Sequence, residues 1–186
     1  MEADAHIDAI VIAVDGACRN NGRYGAESGY GVFVHRDSNL NESEMLGSAI
    51  HTSQRAELWA GLAALGFAKS IRVGNPIGRK RTSVAPGPER RLRRVVIKAD
   101  SEYLVKGMTA WVYKWNENGF VNVRGTEVVN ADLFRTLDRV VDVLNDLDVH
   151  VQFWHVPMQQ NGAADSLAKS SLNDVIAGDA MDEYYG

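Results

Sequence analysis

Three acidic residues stand where a chain of strands and helices can put them to chemical use. Asp15 ends the apolar run Ala9-Ile-Val-Ile-Ala-Val14, and Asp100 ends the shorter run Val95-Val-Ile-Lys-Ala99. Glu57 falls one turn into an Ala- and Leu-rich stretch that opens at Thr52 and Ser53. A carboxylate at the end of a strand brings charge to the rim of a sheet, where α/β folds form their sites. Two such acids on adjacent strands repel each other and resist ionisation unless a cation compensates them. Magnesium does so, and it prefers hard oxygen ligands. Each acid taken singly also has a plainer use: Asp100-Ser101, for instance, suits the cap of a helix.

The elements that must hold these acids follow from the hydrophobic pattern. The run from Ala9 to Val14 is continuous and rich in β-branched residues, so it reads as a central strand buried on both faces. It ends at Asp15-Gly16, and Asn20-Asn21-Gly22 is a turn signal. Tyr30 to Val34 reads as a second strand, and a third lies within Glu42 to Ile50, giving an antiparallel meander. The stretch from Thr52 and Ser53, both candidate N-caps, to about Ser70 has no proline and reads as a helix. Val95 to Ala99 is a short buried strand. Helical segments run from Ser101 to about Lys114, with a break near Gly107, and from Ala131 to about Asn145. Val149 to Trp154 alternates as a last strand, and a helix from about Asn161 to Leu172 follows. The order βββ-α-β-α-β-α describes an α/β fold with a five-stranded mixed sheet flanked by helices. The last two strands are reached through helices and should run parallel to a neighbour.

The 186 residues fit one domain with a modest insertion. Hydrophobic residues make up 45% and charged residues 24%, ordinary values for a globular chain. No apolar run approaches the roughly 20 residues of a membrane span. The opening Met1-Glu2-Ala3-Asp4 is acidic and has neither a basic nor an apolar leader region, so an intracellular protein of the cytoplasm or nucleus is expected, not a secreted one. Cys18 is the single cysteine, which excludes an intrachain disulfide and fits a small packing residue. The net charge of −4 conceals an asymmetry: of 20 basic and 24 acidic residues, eight basic and one acidic fall between Ile71 and Arg94. The rest of the chain holds 12 basic and 23 acidic residues, so an acidic body carries a basic, Pro- and Gly-rich insertion. That insertion is either a solvated loop, with a localisation signal at Arg79-Lys80-Arg81, or an arm that grips phosphates. The end, from about Asp174, is acidic and expected to be loose.

Six segments together resemble a known family. Asp15-Gly-Ala-Cys18 with Asn20-Asn-Gly22, then Thr52-Ser-Gln-Arg-Ala-Glu-Leu58, then Asp100-Ser-Glu-Tyr103 look like the leading motifs of type 1 ribonuclease H. Trp111-Val-Tyr-Lys-Trp115 with Asn118-Gly119 and Asn130-Ala-Asp-Leu-Phe134 is similar to its substrate-handling region, and Phe153-Trp-His-Val-Pro157 and Asn161-Gly-Ala-Ala-Asp-Ser-Leu-Ala168 resemble its last strand and helix. The likeness spans about residues 8 to 173 and looks closest to the fungal branch. It implies a ribonuclease H-like fold and a metal-dependent endonuclease that cuts the RNA strand of an RNA–DNA hybrid, leaving a 3′ hydroxyl and a 5′ phosphate. By this resemblance Asp15, Glu57, Asp100 and Asp165 are the catalytic metal ligands for two magnesium ions about 4 Å apart, for which manganese can substitute. The resemblance also assigns the substrate contacts: Asn21, Ser53 and Gln54 to the 2′-hydroxyls of the RNA, the group that separates RNA from DNA, Thr52 and Asn130 to a phosphate pocket for the DNA strand, and Trp111 and Trp115, with Tyr103 nearby, to an aromatic channel. On a helix Trp111 and Trp115 share a face, and without the resemblance they would be read as core, as Trp59 and Trp154 are. A monomer with no protein partner is expected.

The chain departs from the family in three places. Pro157 to Ala164 is short and lacks a loop histidine that many relatives use, and His155 matches a structural strand position instead. Asn116-Glu-Asn118 stands where some members carry basic residues. Near Ile50 some relatives have an arginine of the phosphate pocket. Two other readings therefore stand beside the nuclease: a non-catalytic nucleic-acid-binding module of the same fold, and a superfamily nuclease with another substrate, such as a transposase or exonuclease core.

Overall fold

In the computed structural model, which describes residues 8–47, 50–74 and 92–173, the apolar run at the start of the chain forms the middle of the sheet. Strand β1 (Ala9–Arg19) lies between β2 (Glu27–Phe33) and β4 (Arg94–Ala99), with β3 (Glu42–Met45) and β5 (His150–His155) at the edges. The order is β3-β2-β1-β4-β5. The first three strands pair antiparallel as a meander, and β4 and β5 run parallel to β1. These are the directions that short hairpins and helical crossovers impose.

Strand β1 does not stop at Asp15. It pairs with β4 only as far as Ala13, opposite Lys98, but stays paired with β2 through Asp15, opposite Gly31, to Arg19. Asp15 thus sits inside one ladder at the point where the other ends. Nor is the strand buried on both faces throughout: Ile12 to Asp15 are buried, whereas Val11 is exposed.

Helix α1 (Ser53–Val73) begins at Thr52, whose hydroxyl accepts from the Arg55 amide, and ends at Gly74 in the left-handed region at φ 72°. Both ends follow the usual capping chemistry. Its face of Ala56, Leu58, Ala60, Ala64, Leu65 and Ala68 is buried. The next helical stretch is α2 (Glu102–Lys106), a turn of π-helix (Gly107–Trp111) and α3 (Val112–Asn118). The expected break near Gly107 is therefore an extra residue taken up in a π turn, marked by the bond from the Val112 amide to the Gly107 carbonyl. Helix α4 (Ala131–Asp146) buries Leu133, Phe134, Leu137 and Leu144. Helix α5 (Gly162–Ser170) follows a short 3-10 turn (Met158–Gln160).

Glycines set how closely the helices approach the sheet. A Cβ on Gly16 would run into the backbone of Ala56 and Glu57 in α1, and one on Gly31 would meet the backbone of Ala164 and Ala168 in α5. The two helices therefore lie on opposite faces of the central strands, each in contact with backbone. Among the described residues, no helix covers the far side of β4 and β5 in this way. Trp154, expected in the core, is 49% exposed there, with Lys98 Nζ 5.7 Å from its ring centroid. Trp59 is partly buried and packs on the core as expected. No helix among the described residues is long and apolar enough to cross a membrane. Residues 75–91, with Arg79-Lys80-Arg81, and the acidic end from 174 lie outside the described residues. Arg72, from the basic stretch, belongs to the folded body: its Nε donates to the Leu147 carbonyl at 2.8 Å.

Two glycine substitutions should have opposite effects. Gly31→Ala forces a methyl group against α5 backbone that cannot move aside, and should cost about 1–3 kcal/mol. Gly66→Ala fills open space inside α1, and should stabilise by about 0.5–1 kcal/mol. Urea unfolding of the two variants measures both, and a neutral Gly31→Ala would contradict the packing described.

Candidate active site

Four acids from four elements converge beside the end of the β1–β4 ladder. Asp15 is 6% exposed, and its Oδ1 accepts from the Gly16 amide at 2.8 Å. Asp100 follows the last residue of β4, and its Oδ1 accepts from Asn161 Nδ2 at 2.7 Å. Glu57 projects from the second turn of α1, where Asp15, Asp100 and Ser101 act on its carboxyl. Asp165, in the first turn of α5, accepts from Lys169 Nζ at 2.8 Å one turn later. The same geometry explains why Asp15 and Glu57 hold their protons more tightly than free carboxyls do. Burial, then the charges of Asp100 and Asp165, raise the Asp15 carboxyl to about 7, against the pull of the Gly16 amide and Lys169. Burial, then Asp15 and Asp100, push Glu57 up to about 9, although Ser101 favours its charged form.

One atom of this cluster has no protein partner: Glu57 Oε2 is buried and makes no hydrogen bond. A buried carboxylate oxygen without a donor is costly. A divalent cation satisfies it, and a set of carboxylate oxygens suits magnesium or manganese. Among the described residues, no three His, Cys, Asp or Glu side chains are grouped so that they could hold a metal ion by themselves.

The groups expected to touch substrate lie in two places. Asn21 and Ser53 meet, the Ser53 amide donating to Asn21 Oδ1 at 3.3 Å, and Gln54 follows on the exposed side of α1. Thr52 is committed to its cap, but Arg55, which it caps, reaches the second place. There Arg55 donates to Asn130 Oδ1 at 3.3 Å and forks onto both oxygens of Asp132 at 3.1 and 2.9 Å. Asn130 Nδ2 donates to the Tyr103 hydroxyl, which donates to the Val129 carbonyl. Tyr103 stands edge-on to Trp111 at 6.1 Å, and Trp111 lies 5.7 Å from Trp115. Trp111 is 38% exposed, while Trp115 packs on Phe134 at 4.9 Å. An unbroken α-helix would set residues eight apart about 80° away from each other. The π turn between them absorbs one residue and brings Tyr103 and Trp111 onto one stripe.

The sequence reading did not single out Arg55, Ser101, Asn161 or Lys169. Lys169 carried a signal, four residues after Asp165 on a helix. Asn161, Ser101 and Arg55 lay inside recognised motifs, but what they touch is decided by the tertiary fold. His155 keeps the structural place expected of it, its Nε2 3.2 Å from the Asp100 carbonyl.

The raised carboxyl pKa values fix a sign for pH dependence. An acid that holds its proton more tightly when folded stabilises the fold at low pH, and loses that contribution as pH rises through its folded pKa. Without metal, thermal stability should therefore fall as pH rises through about 7 for Asp15 and about 9 for Glu57. Magnesium displaces these protons, so its stabilising effect should grow with pH over the same range. Melting temperatures in EDTA and in magnesium, from about pH 5 to about pH 9, measure this, and curves that stay parallel would exclude a metal at these acids.

Comparison with known proteins agrees with this arrangement. The sequence model of the RNase H family matches residues 8–173. The chain is 30% identical to human Ribonuclease H1, over 87% of this chain and 49% of that protein, and 30% identical to the Ribonuclease H of Schizosaccharomyces pombe, over 90% and 54%. It spans about half the length of these curated relatives. A solved structure of an RNase H1 isolated from compost by a metagenomic approach covers 91% of this chain and 99% of its own, with a TM-score of 0.58 at 20% identity, a likeness of fold. By sequence and by fold, the chain belongs to the RNase H family.

Proposed function

We propose that this protein hydrolyses the RNA strand of RNA–DNA hybrids with divalent cations held by Asp15, Glu57, Asp100 and Asp165, leaving 3′-hydroxyl and 5′-phosphate ends. The observation that carries the reading is the cluster of acids around the buried Asp15, with the Asp15 and Glu57 carboxyls raised and Glu57 Oε2 lacking any donor. A purely structural use of these residues would leave that cost without return. Two magnesium ions, or manganese in their place, would supply Lewis-acid polarisation of the scissile phosphate and a water acidic enough to attack near neutral pH. The chain itself orients the reactants. Asp15 stands at the centre, within electrostatic reach of Asp100, Asp165 and Glu57. Lys169 limits the net negative charge beside Asp165.

In this reading Asn21, Ser53 and Gln54 face the RNA strand. Asn and Gln side chains both donate and accept, as a 2′-hydroxyl requires. Thr52 and Asn130, with the Arg55 guanidinium against Asn130, receive a phosphate of the DNA strand. Tyr103, Trp111 and Trp115 offer flat apolar faces to its sugars. All four acids come from one chain, so a monomer suffices.

Asp15→Asn preserves shape and removes one negative charge from the centre of the site. Cleavage of a hybrid at millimolar magnesium should fall by about a thousandfold or more, since the metal supplies both the nucleophile and charge stabilisation. The circular dichroism spectrum should stay that of the parent, and near-parental turnover would remove the assignment. Strand choice gives a second measurement. A hybrid with one deoxynucleotide in its RNA strand should be cut poorly around that position, and RNA–RNA and DNA–DNA duplexes should be cut poorly throughout. Equal cutting of a DNA duplex and a hybrid would point to a different nuclease of the superfamily, and magnesium-dependent binding without cutting to a non-catalytic module.

A further inference from the structure

Where the β1–β4 ladder ends, a side chain takes its place. Its last partners are Ala13 and Lys98, and β4 then turns off into α2, whose cap is Ser101. The Val14 carbonyl, next along β1, accepts from Asn161 Nδ2 at 2.9 Å. The same nitrogen donates to Asp100 Oδ1 at 2.7 Å. A carbonyl and a carboxylate can only accept from it, so the nitrogen end of the amide must face them. Asn161 is 1% exposed. It precedes α5, where an asparagine ordinarily caps the helix through its side-chain oxygen. It makes no such cap bond, and its Oδ1 is buried without a partner. The side chain has thus given up its ordinary use, and one satisfied acceptor, to link the strand of Asp15 to the carboxylate of Asp100 from the helix that carries Asp165.

We propose that Asn161 is a positioning residue for the metal-binding acids: it holds one oxygen of Asp100 and the carbonyl beside Asp15, and so leaves the other oxygen of Asp100 to the cation. The proposal rests on the metal-dependent hydrolysis proposed above. The place calls for a neutral donor. Lysine or arginine would neutralise Asp100 and compete with the cation, and aspartate would add a repelling charge. Hydrogen bonds that orient a ligand in this way commonly matter to metal affinity almost as much as the ligand does.

The test uses magnesium as the probe and the whole chain. Calorimetric titration without substrate gives the magnesium affinity, and cleavage of a hybrid gives kcat and KM. Asn161→Ala should weaken magnesium binding by about tenfold and lower kcat by about ten- to a hundredfold, with KM for the hybrid nearly unchanged. In an Asp100→Asn background, where the ligand charge is already gone, adding Asn161→Ala should weaken magnesium binding little further. A variant with a lower melting temperature but parental magnesium affinity and kcat would overturn the proposal, leaving Asn161 a packing residue. Should Asn161→Ala fail to fold, the parent decides: the Asn161 side-chain amide resonances should shift during a magnesium titration with the calorimetric midpoint, and resonances that do not respond overturn it equally. A parent that neither binds magnesium nor cuts a hybrid defeats the functional reading itself. A parent that does both while Asn161 is indifferent defeats only this inference.

Discussion

Repulsion among like charges, held away from water, is the condition around which the rest of this protein is arranged. Asp15, Glu57, Asp100 and Asp165 come from a central strand, a helix beside it, the end of a neighbouring strand and helix α5, and the charged forms of Asp15 and Glu57 are disfavoured by burial and then by their acidic neighbours. In water such groups would separate. Here covalent and hydrogen-bonded scaffolding prevents it: the β1–β2 ladder fixes Asp15, the end of β4 and the Asn161 amide fix Asp100, and helix packing fixes Glu57 and Asp165. Partial compensation comes from local donors, the Gly16 amide, the Ser101 hydroxyl, the Asn161 amide and Lys169. Their sum falls short of neutrality. The shortfall is what a multivalent cation, as proposed for this site, would make good, since a fully compensated cluster would have little left to offer one.

Close packing converts that chemical need into a structural one. Acids on opposite faces of a sheet can approach only if the helices bearing them press against backbone. Gly16 and Gly31 permit this, and any side chain in their place would lift α1 or α5 away. Gly107 plays a similar part at a distance: a Cβ there would strike the Phe134 ring, about which Tyr103 and Trp115 are packed. The cluster of acids and the aromatic wall thus both depend on positions that carry no functional group at all.

The sequence disclosed the frame more readily than the fittings. The β-branched run before Asp15, the cap at Thr52 and the run before Asp100 each carry a local signal, and each element formed where that signal lay. The continuation of β1 past Asp15 did not, because Gly16, Ala17 and Cys18 have weak strand preference and are held by pairing with β2. Trp154 misled for a related reason. Alternation marks a strand but does not say which of its faces a helix will cover. Gly107 was legible as an interruption, yet nothing local distinguishes a π turn from a kink. Asn161 lay in a motif whose helix start was recognised, but its inward rotation follows from the end of a ladder 147 residues away in sequence.

That long separation has a consequence for how the protein comes to be active. Synthesis proceeds from the N-terminus, and a domain generally folds as a unit. By Asp100 the chain possesses β1, α1 and β4, and with them three of its four acids. The donor that links two of those acids, and the fourth acid itself, arrive only with Asn161 and Asp165, at the other end of the folded body. A nascent chain therefore carries the charge of the site before it carries its geometry. The grouping of four acids is therefore complete only once α5 has docked, so that the helix bearing Asn161's link and Asp165 closes the fold and the site in one step.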